Sequence, residues 1–230
     1  PSMPCRPFQS WRLRARITEL GLAGADAYRA YLAEHPDEWA TLDGLCRVTI
    51  SRFARDRDMW MTLVRDVLPR FESLRAWSAG CGAGEEPFTL AIAWALEIRS
   101  PDLDVLATDI DDVQLRRAAA ATFPTATLRE LPAAWRAAAF DERDDEATLR
   151  QAFRACVRFA HHDLRTPPPA GPFDLVLCRN LAYSYFDEPA QAALTRSLRG
   201  VMQAGSVLVV GGDERLTDER DFAPQSHGIY

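Results

Sequence analysis

Nothing in these 230 residues reaches the roughly 18-residue apolar run that a membrane span needs, and the start has no signal-peptide pattern, so a cytoplasmic chain with no membrane insertion is expected. A net charge of −6 argues against a nucleic-acid partner, which would require a basic face. Five cysteines, Cys5, Cys46, Cys81, Cys156 and Cys178, are scattered without a CxxC pair, which argues against a disulfide framework and against a metal site.

Residues 1–8 read as an irregular lead-in. From Trp11 to about Arg70 the pattern is helical: Leu13, Ile17 and Leu20 recur at helix spacing, Gly21–Gly24 break the run, and Ala27–Ala33 resume it. Further helices are expected at Trp39–Leu45 and at Asp58–Val67, the latter ended by Pro69. With no strand signal in this stretch, residues 1–70 are expected to form a small all-helical N-terminal domain. At Leu74 the texture changes, and residues 71–230 read as a second domain. Leu74–Ser78 is a strand that runs into a glycine cluster, and Glu85–Ser100 a long apolar-periodic helix. Val105–Asp109 is a second strand, followed by a helix from Asp112 to about Thr122. Val157–His161, Phe173–Cys178 and Val207–Val210 are further strands, with a helix at Glu188–Met202. Strands that alternate with helices and are continuously apolar indicate a parallel sheet covered on both faces, an α/β, Rossmann-like fold. Residues 124–156, helical in pattern and highly charged around Asp141–Glu146, stand outside the alternation and are expected to be an insertion.

Gly80, Gly82 and Gly84 fall between a strand and a helix, where glycine permits a tight turn and close approach of the backbone to a nucleoside. Asp109 ends the next strand 25 residues after Gly84, near the spacing at which an acidic residue takes a ribose hydroxyl pair. A dinucleotide would rest its pyrophosphate at this helix start, but the helix opens with Glu85 and Glu86. Carboxylates there disfavour a pyrophosphate by on the order of a kcal/mol and suit the ammonium and sulfonium of S-adenosylmethionine. The plainer alternative is that both glutamates merely complement the helix dipole.

Trp77–Phe88 (WSAGCGAGEEPF) resembles the WSAGCSTGEEPYS segment of the CheR-type chemotaxis methyltransferases. Ala107–Asp111 matches that family's ATDID, Phe173–Asn180 its FDLIFCRN, and Tyr185–Asp187 its YFD; Thr49–Asp56 resembles NxTxFFRD, which joins the family's helical and catalytic domains. The helical start, Arg12–Leu32, resembles the family's arginine-rich N-domain helix followed by LGL. The resemblance implies methyl transfer from S-adenosylmethionine to glutamate carboxylates on chemoreceptor helices. It implies a cofactor held by Thr49, Ser51, Arg55, the glycine turn, Glu86, Asp109, Asp163, Leu164, Arg179 and Asn180. Asp163 stands where the family has asparagine. The RNVxIYF segment is one residue longer here, which leaves Tyr183 or Tyr185 as the catalytic tyrosine. GHSE becomes Gly211–Glu214, adding a carboxylate where the substrate approaches, the second FFRD phenylalanine is Ala54, and the first helix of the usual N-domain is missing.

Displacement at a sulfonium is in line and needs positioning and desolvation of the nucleophile. A glutamate, with a reference pKa of about 4.3, is already ionised and needs a cation to orient it rather than a base. Arg75 matches a family active-site arginine and is expected in that role, unless it is a structural ion-pair residue. Arg12, Arg14 and Arg16 would face an acidic helical receptor, or only solvent. Two other readings stay open: a same-fold methyltransferase acting on a small molecule or another protein, and a non-catalytic sensor that binds the cofactor.

Overall fold

The computed structural model describes residues 10–46, 51–216, 220, 222–226 and 228–230. By its contacts the chain divides into two compact units, residues 1–50 and 51–230.

The first unit holds α1 (Ser10–Glu19), α2 (Ala25–Glu34) and α3 (Glu38–Cys46). Gly21, at φ 67°, ends α1 in the left-handed conformation, and the Leu22 N–H returns to the Ile17 carbonyl at 2.9 Å. The break read from Gly21–Gly24 is therefore a glycine cap. Ile17, Tyr28 and Leu32 form a small core, with Leu13, Leu20 and Leu42 packed against it. Arg16 donates to Glu38 at 2.9 and 2.7 Å, and the Tyr28 hydroxyl donates to the same carboxylate at 2.9 Å. Arg16 is thus engaged inside its own unit, while Arg14 is exposed.

The second unit begins with Ser51 and α4 (Arg57–Thr62), which runs on through a wider π-type turn, Leu63–Val67, to Pro69. Phe53, Met59, Trp60, Leu63 and Val67 share one apolar cluster with Leu74 and Ala76, so this helix packs on the sheet. The strands are β1 (Leu74–Ala79), β2 (Leu103–Asp109), β3 (Thr122–Pro124), β4 (Phe140–Arg143), β5 (Glu146–Leu149), β6 (Val157–His161), β7 (Phe173–Leu177) and β8 (Met202–Val209). Between them lie α5 (Glu85–Ala93), α6 (Asp112–Ala120), α7 (Ala133–Ala139), α8 (Ala182–Tyr185) and α9 (Glu188–Gly200).

Five strands make the main sheet in the order β6-β2-β1-β7-β8, every pairing parallel. The alternation of side chains explains why the strands read as continuously apolar. Ala76 of β1, Val105 and Ala107 of β2, and Val207 and Val209 of β8 face one core with α5. Trp77, Ala79, Leu208 and Val210 face the other, with Leu194 and Leu198 of α9. The expected α/β architecture is present, with its strand order reversing between β1 and β7. Such a reversal opens a crevice at the carboxyl ends of those strands.

The insertion differs from the expectation. Instead of a helical stretch, β3, β5 and β4 form an antiparallel sheet in that order, with a short 3-10 turn, Thr125–Leu128, and α7 between β3 and β4. The charged run is a hairpin: Asp141–Arg143 are exposed, and Asp144, at φ 52°, turns the chain into β5. Charges on an exposed hairpin face carry no period-2 apolar signal, which is why the run did not read as strand. Leu208 and Tyr230 exchange backbone hydrogen bonds at 3.0 and 2.9 Å, laying the chain's last residues antiparallel beside β8. No described helix is long and apolar enough to cross a membrane.

Candidate active site

The crevice at the strand ends collects most of the residues singled out in the sequence. After β1 the chain turns through Gly80, Gly82 and Gly84 at φ 85°, 56° and 96°, a left-handed region that side chains disfavour. A Cβ on Gly80 would also collide with the Leu181 side chain. Asp109, at the end of β2, accepts the Gly82 N–H at 2.8 Å and the Asp111 N–H at 2.9 Å. Its carboxylate is thereby oriented, and each oxygen keeps a lone pair for a ribose hydroxyl.

Glu86 stands on the first turn of α5. It accepts the Ser78 hydroxyl at 2.7 Å and Arg179 Nη1 at 3.1 Å, with its side chain 13 % exposed. Burial raises the Glu86 carboxyl above the usual carboxylate range, and Arg179, Ser78 and Arg55 pull it back. Arg179, at the end of β7, is the hub of this cluster. Its side chain is 3 % exposed; Nη2 donates to the Arg55 carbonyl at 2.8 Å and to Asp56 at 2.7 Å, and the guanidinium lies 5.7 Å from the centre of the Trp60 ring. Arg179 therefore braces Glu86 and the 55–56 backbone from behind.

The segment Ser51–Asp56 is pinned from three sides. The Phe53 ring meets Phe123 and Phe140 edge-on at 4.9 and 5.0 Å, the Ala54 N–H donates to Thr89 Oγ1 at 3.0 Å, and Arg179 holds Arg55 and Asp56. Ala54 and Asp56 sit at φ 51° and 63°, and Asn180, across the crevice, at φ 55°. Three non-glycine residues in the left-handed region around one crevice mark a segment held against its own preference, as happens at functional sites. This anchoring puts the Arg55 guanidinium where its charge is felt at Glu86, yet no carboxylate pairs with it among the described residues.

Other expected site residues divide. Thr49 lies outside the described residues. Ser51 acts on the neighbouring Glu85, whose carboxyl it pulls back toward the ordinary range. Asp163 is paired with Arg165 at 2.7 Å, and Leu164 packs against the second core. Tyr183 is buried with its hydroxyl 3.0 Å from that of Thr195, whereas Tyr185 is half-buried and its hydroxyl has no hydrogen-bond partner among the described residues. Arg75 is a correction: it stands at the amino end of β1, about 13 Å along the strand from Ala79 at roughly 3.3 Å per residue. There it donates to the Pro172 and Ala170 carbonyls at 3.3 and 3.1 Å and lies over Phe173, which is a structural use at the wrong end of the sheet. Adjacency to the strand suggested Arg75, but strand direction decides which end meets the ligand.

Sequence reasoning gave no role to Asp56, Ser78 and Glu214, although each lay inside a family motif: Asp56 in Thr49–Asp56, Ser78 in Trp77–Phe88 and Glu214 in Gly211–Glu214. Beside the cluster, Asp56, Asp58, Thr62, Gly212 and Asp213 line an open cleft of about 440 Å³. Glu85, neighbour of Glu86, is 4 % exposed, and burial raises its carboxyl above the usual range, offset in part by its own backbone, Ser51 and Arg117. A raised carboxyl binds its proton more tightly folded than unfolded, so its charge costs stability as pH rises from the ordinary carboxylate value through the raised one. Glu85→Gln is expected to melt at a higher temperature than the parent near neutral pH, with the difference vanishing in acid. Thermal unfolding between about pH 4 and pH 8 checks this; parallel curves would refute it.

A parallel sheet with this reversal, a left-handed glycine turn, an oriented carboxylate at the next strand end and an acidic helix start define an α/β methyltransferase using S-adenosylmethionine. Residues 49–228 match the family model described as CheR methyltransferase, SAM binding domain, and the chain belongs to that family. It is 33% identical over 183 residues to the chemotaxis protein methyltransferase of Listeria innocua, covering 77% of this chain and 70% of that one. It is 29% identical over 230 residues to that of Klebsiella aerogenes, covering 95% and 79%. Among solved structures, the glycopeptide N-methyltransferase MtfA with S-adenosylmethionine aligns at a TM-score of 0.44 and 15% identity, over 70% of this chain and 54% of that one.

Proposed function

We propose that the acceptor is a glutamate side chain of a helical chemoreceptor protein and that the reaction takes place in the cytoplasm. The observation that carries this reading is Arg55, a cation whose backbone is held at the crevice and which no ion pair consumes among the described residues. When bound, S-adenosylmethionine supplies an electrophilic methyl group on a sulfonium that leaves as a neutral thioether. Glu86 receives the cofactor ammonium, Asp109 the ribose hydroxyls, and Gly80, Gly82 and Gly84 let the backbone lie close. Asp163 and Leu164 flank the base, and Asn180 closes the site. Arg55 orients the acceptor carboxylate, and Tyr185 guides its second oxygen. One carboxylate oxygen forms the new bond to carbon as the carbon–sulfur bond breaks, so no proton moves and no general base is needed.

The two tyrosines separate by experiment. Tyr185→Phe is expected to lower kcat about tenfold with cofactor affinity unchanged, the loss of one hydrogen bond to a charged group. Tyr183→Phe is expected to cost about 1 kcal/mol of stability and leave kcat unchanged. Rates alongside denaturant melts decide; the reverse pattern would move the acceptor-side role to Tyr183.

Labelled methyl transfer into a lysate of the source organism, followed by mild alkali, tests the acceptor. Label on a protein, released as methanol, supports the carboxyl ester. A second reading has its own observation: Asp58 and Asp213 line the cleft beside the site with Arg57 as its one lining cation, Asp56 being paired with Arg179, and this acidic excess disfavours a free carboxylate and favours a different or positively flanked acceptor. Alkali-stable label, or label only in small molecules, would select it.

A further inference from the structure

We propose that Glu214 is a positioning residue that sets the crevice side of the site, holding Asn180 and the turn leading to Tyr185 in their working geometry. This rests on the reading that Asn180 faces the cofactor and Tyr185 the acceptor. Glu214 is 4 % exposed, and no arginine pairs with its carboxylate among the described residues. Instead, one oxygen accepts the Asn180 N–H and the Gly211 N–H, both at 2.7 Å, and the other accepts the Ser184 hydroxyl at 2.7 Å. The three donors come from three separate segments: the end of β7, the end of β8, and α8.

Backbone N–H groups can only donate, so one oxygen of this carboxyl serves both of them as an acceptor, and its loss would leave two donors unpaired. The arrangement is built around its occupant. A Cβ on Gly211 would come within 2.7 Å of the Glu214 carboxylate and 3.0 Å of Asn180 Oδ1, so the glycine makes room for the contact. Asn180 sits at φ 55°, a conformation its neighbours must impose, and the Glu214 oxygen on its N–H is one such constraint. Without it, the Asn180 backbone relaxes and its side chain is redirected. Without the bond to Ser184, the short α8 turn loses its tether one residue before Tyr185. A single carboxylate thus couples the cofactor side of the crevice to the acceptor side.

The test compares Glu214→Ala, Glu214→Asp and Glu214→Gln with the parent, reading S-adenosylhomocysteine affinity by calorimetry and methyl-transfer rate on the same preparations. Aspartate keeps the charge but is one methylene too short to reach all three donors, and calorimetric stoichiometry reports the folded fraction of each variant. The alanine and aspartate variants are expected to bind about tenfold more weakly and to turn over on the order of 100-fold more slowly. Glutamine is expected to stay within about threefold, because its amide oxygen serves both N–H groups and its amide nitrogen can donate to Ser184. Folded alanine and aspartate variants that match the parent, or a glutamine variant as impaired as alanine, would overturn the role of Glu214 alone. If alanine fails to fold, aspartate decides by the same criteria. A parent that binds no S-adenosylhomocysteine would overturn the cofactor reading, and this role with it.

Discussion

Arg179→Met is expected to abolish measurable cofactor binding while leaving the sheet folded, with turnover falling at least about 1,000-fold. Among the described residues, the buried guanidinium is what joins Glu86, Asp56 and the Arg55 carbonyl, at 3.1, 2.7 and 2.8 Å. Removing one partner of a buried ion pair leaves the other uncompensated, at about 3–5 kcal/mol. Here Glu86, already raised by burial, would lose the cation that pulls it back most, and its carboxyl would be raised further, weakening it as an anion for the cofactor ammonium. The 55–56 backbone would lose its anchor and Arg55 its placement. Arg179→Lys is expected to fail nearly as badly, since one ammonium cannot span three acceptors in fixed directions. Calorimetry with S-adenosylhomocysteine and circular dichroism on the same samples settle it. A folded methionine variant that binds within about tenfold of the parent would show that the brace is dispensable.

Asp109→Ala should weaken S-adenosylhomocysteine by about 100-fold or more, since two hydrogen bonds to a charged group are lost at about 1.5–3 kcal/mol each. The loss is not confined to the ligand. The Gly82 and Asp111 N–H groups, at 2.8 and 2.9 Å from the carboxylate, lose their acceptor too, so the glycine turn is loosened. Asp109→Asn is expected to fall between, keeping one carbonyl oxygen. An alanine variant within about threefold of the parent would mean that the ribose is held elsewhere.

What the sequence disclosed follows from which signals are local. Ala76, Val105, Val176 and Leu208 sit in strands buried on both faces, so their apolar runs were readable without knowing their partners. The glycine turn and Asp109 were readable because turn chemistry and strand length fix their spacing. The β3–β5–β4 sheet was not, because its three short strands carry threonine, proline and surface charge and acquire a buried face only through Phe123, Phe140 and Leu149 meeting in space. Arg75 was misplaced for a related reason: proximity in sequence does not say which end of a strand is the ligand end. Glu214 and Asp56 stood inside family motifs, but their roles were not readable because their partners lie 34 and 123 residues away, at Asn180 and Arg179.

The parallel sheet also has a kinetic side. Ala76 in the central strand pairs with Leu175, and Val105 with Val157. Such distant pairings must close long loops before they yield any contact energy, which slows folding relative to a helical bundle of equal stability. On a ribosome adding about 5–20 residues per second, β1 waits on the order of 5–20 s for its second neighbour to be made. During that interval its apolar edge is covered by β2 alone. Refolding yield should therefore fall as protein concentration rises, and a nascent chain stalled before β7 should be the species that chaperones hold.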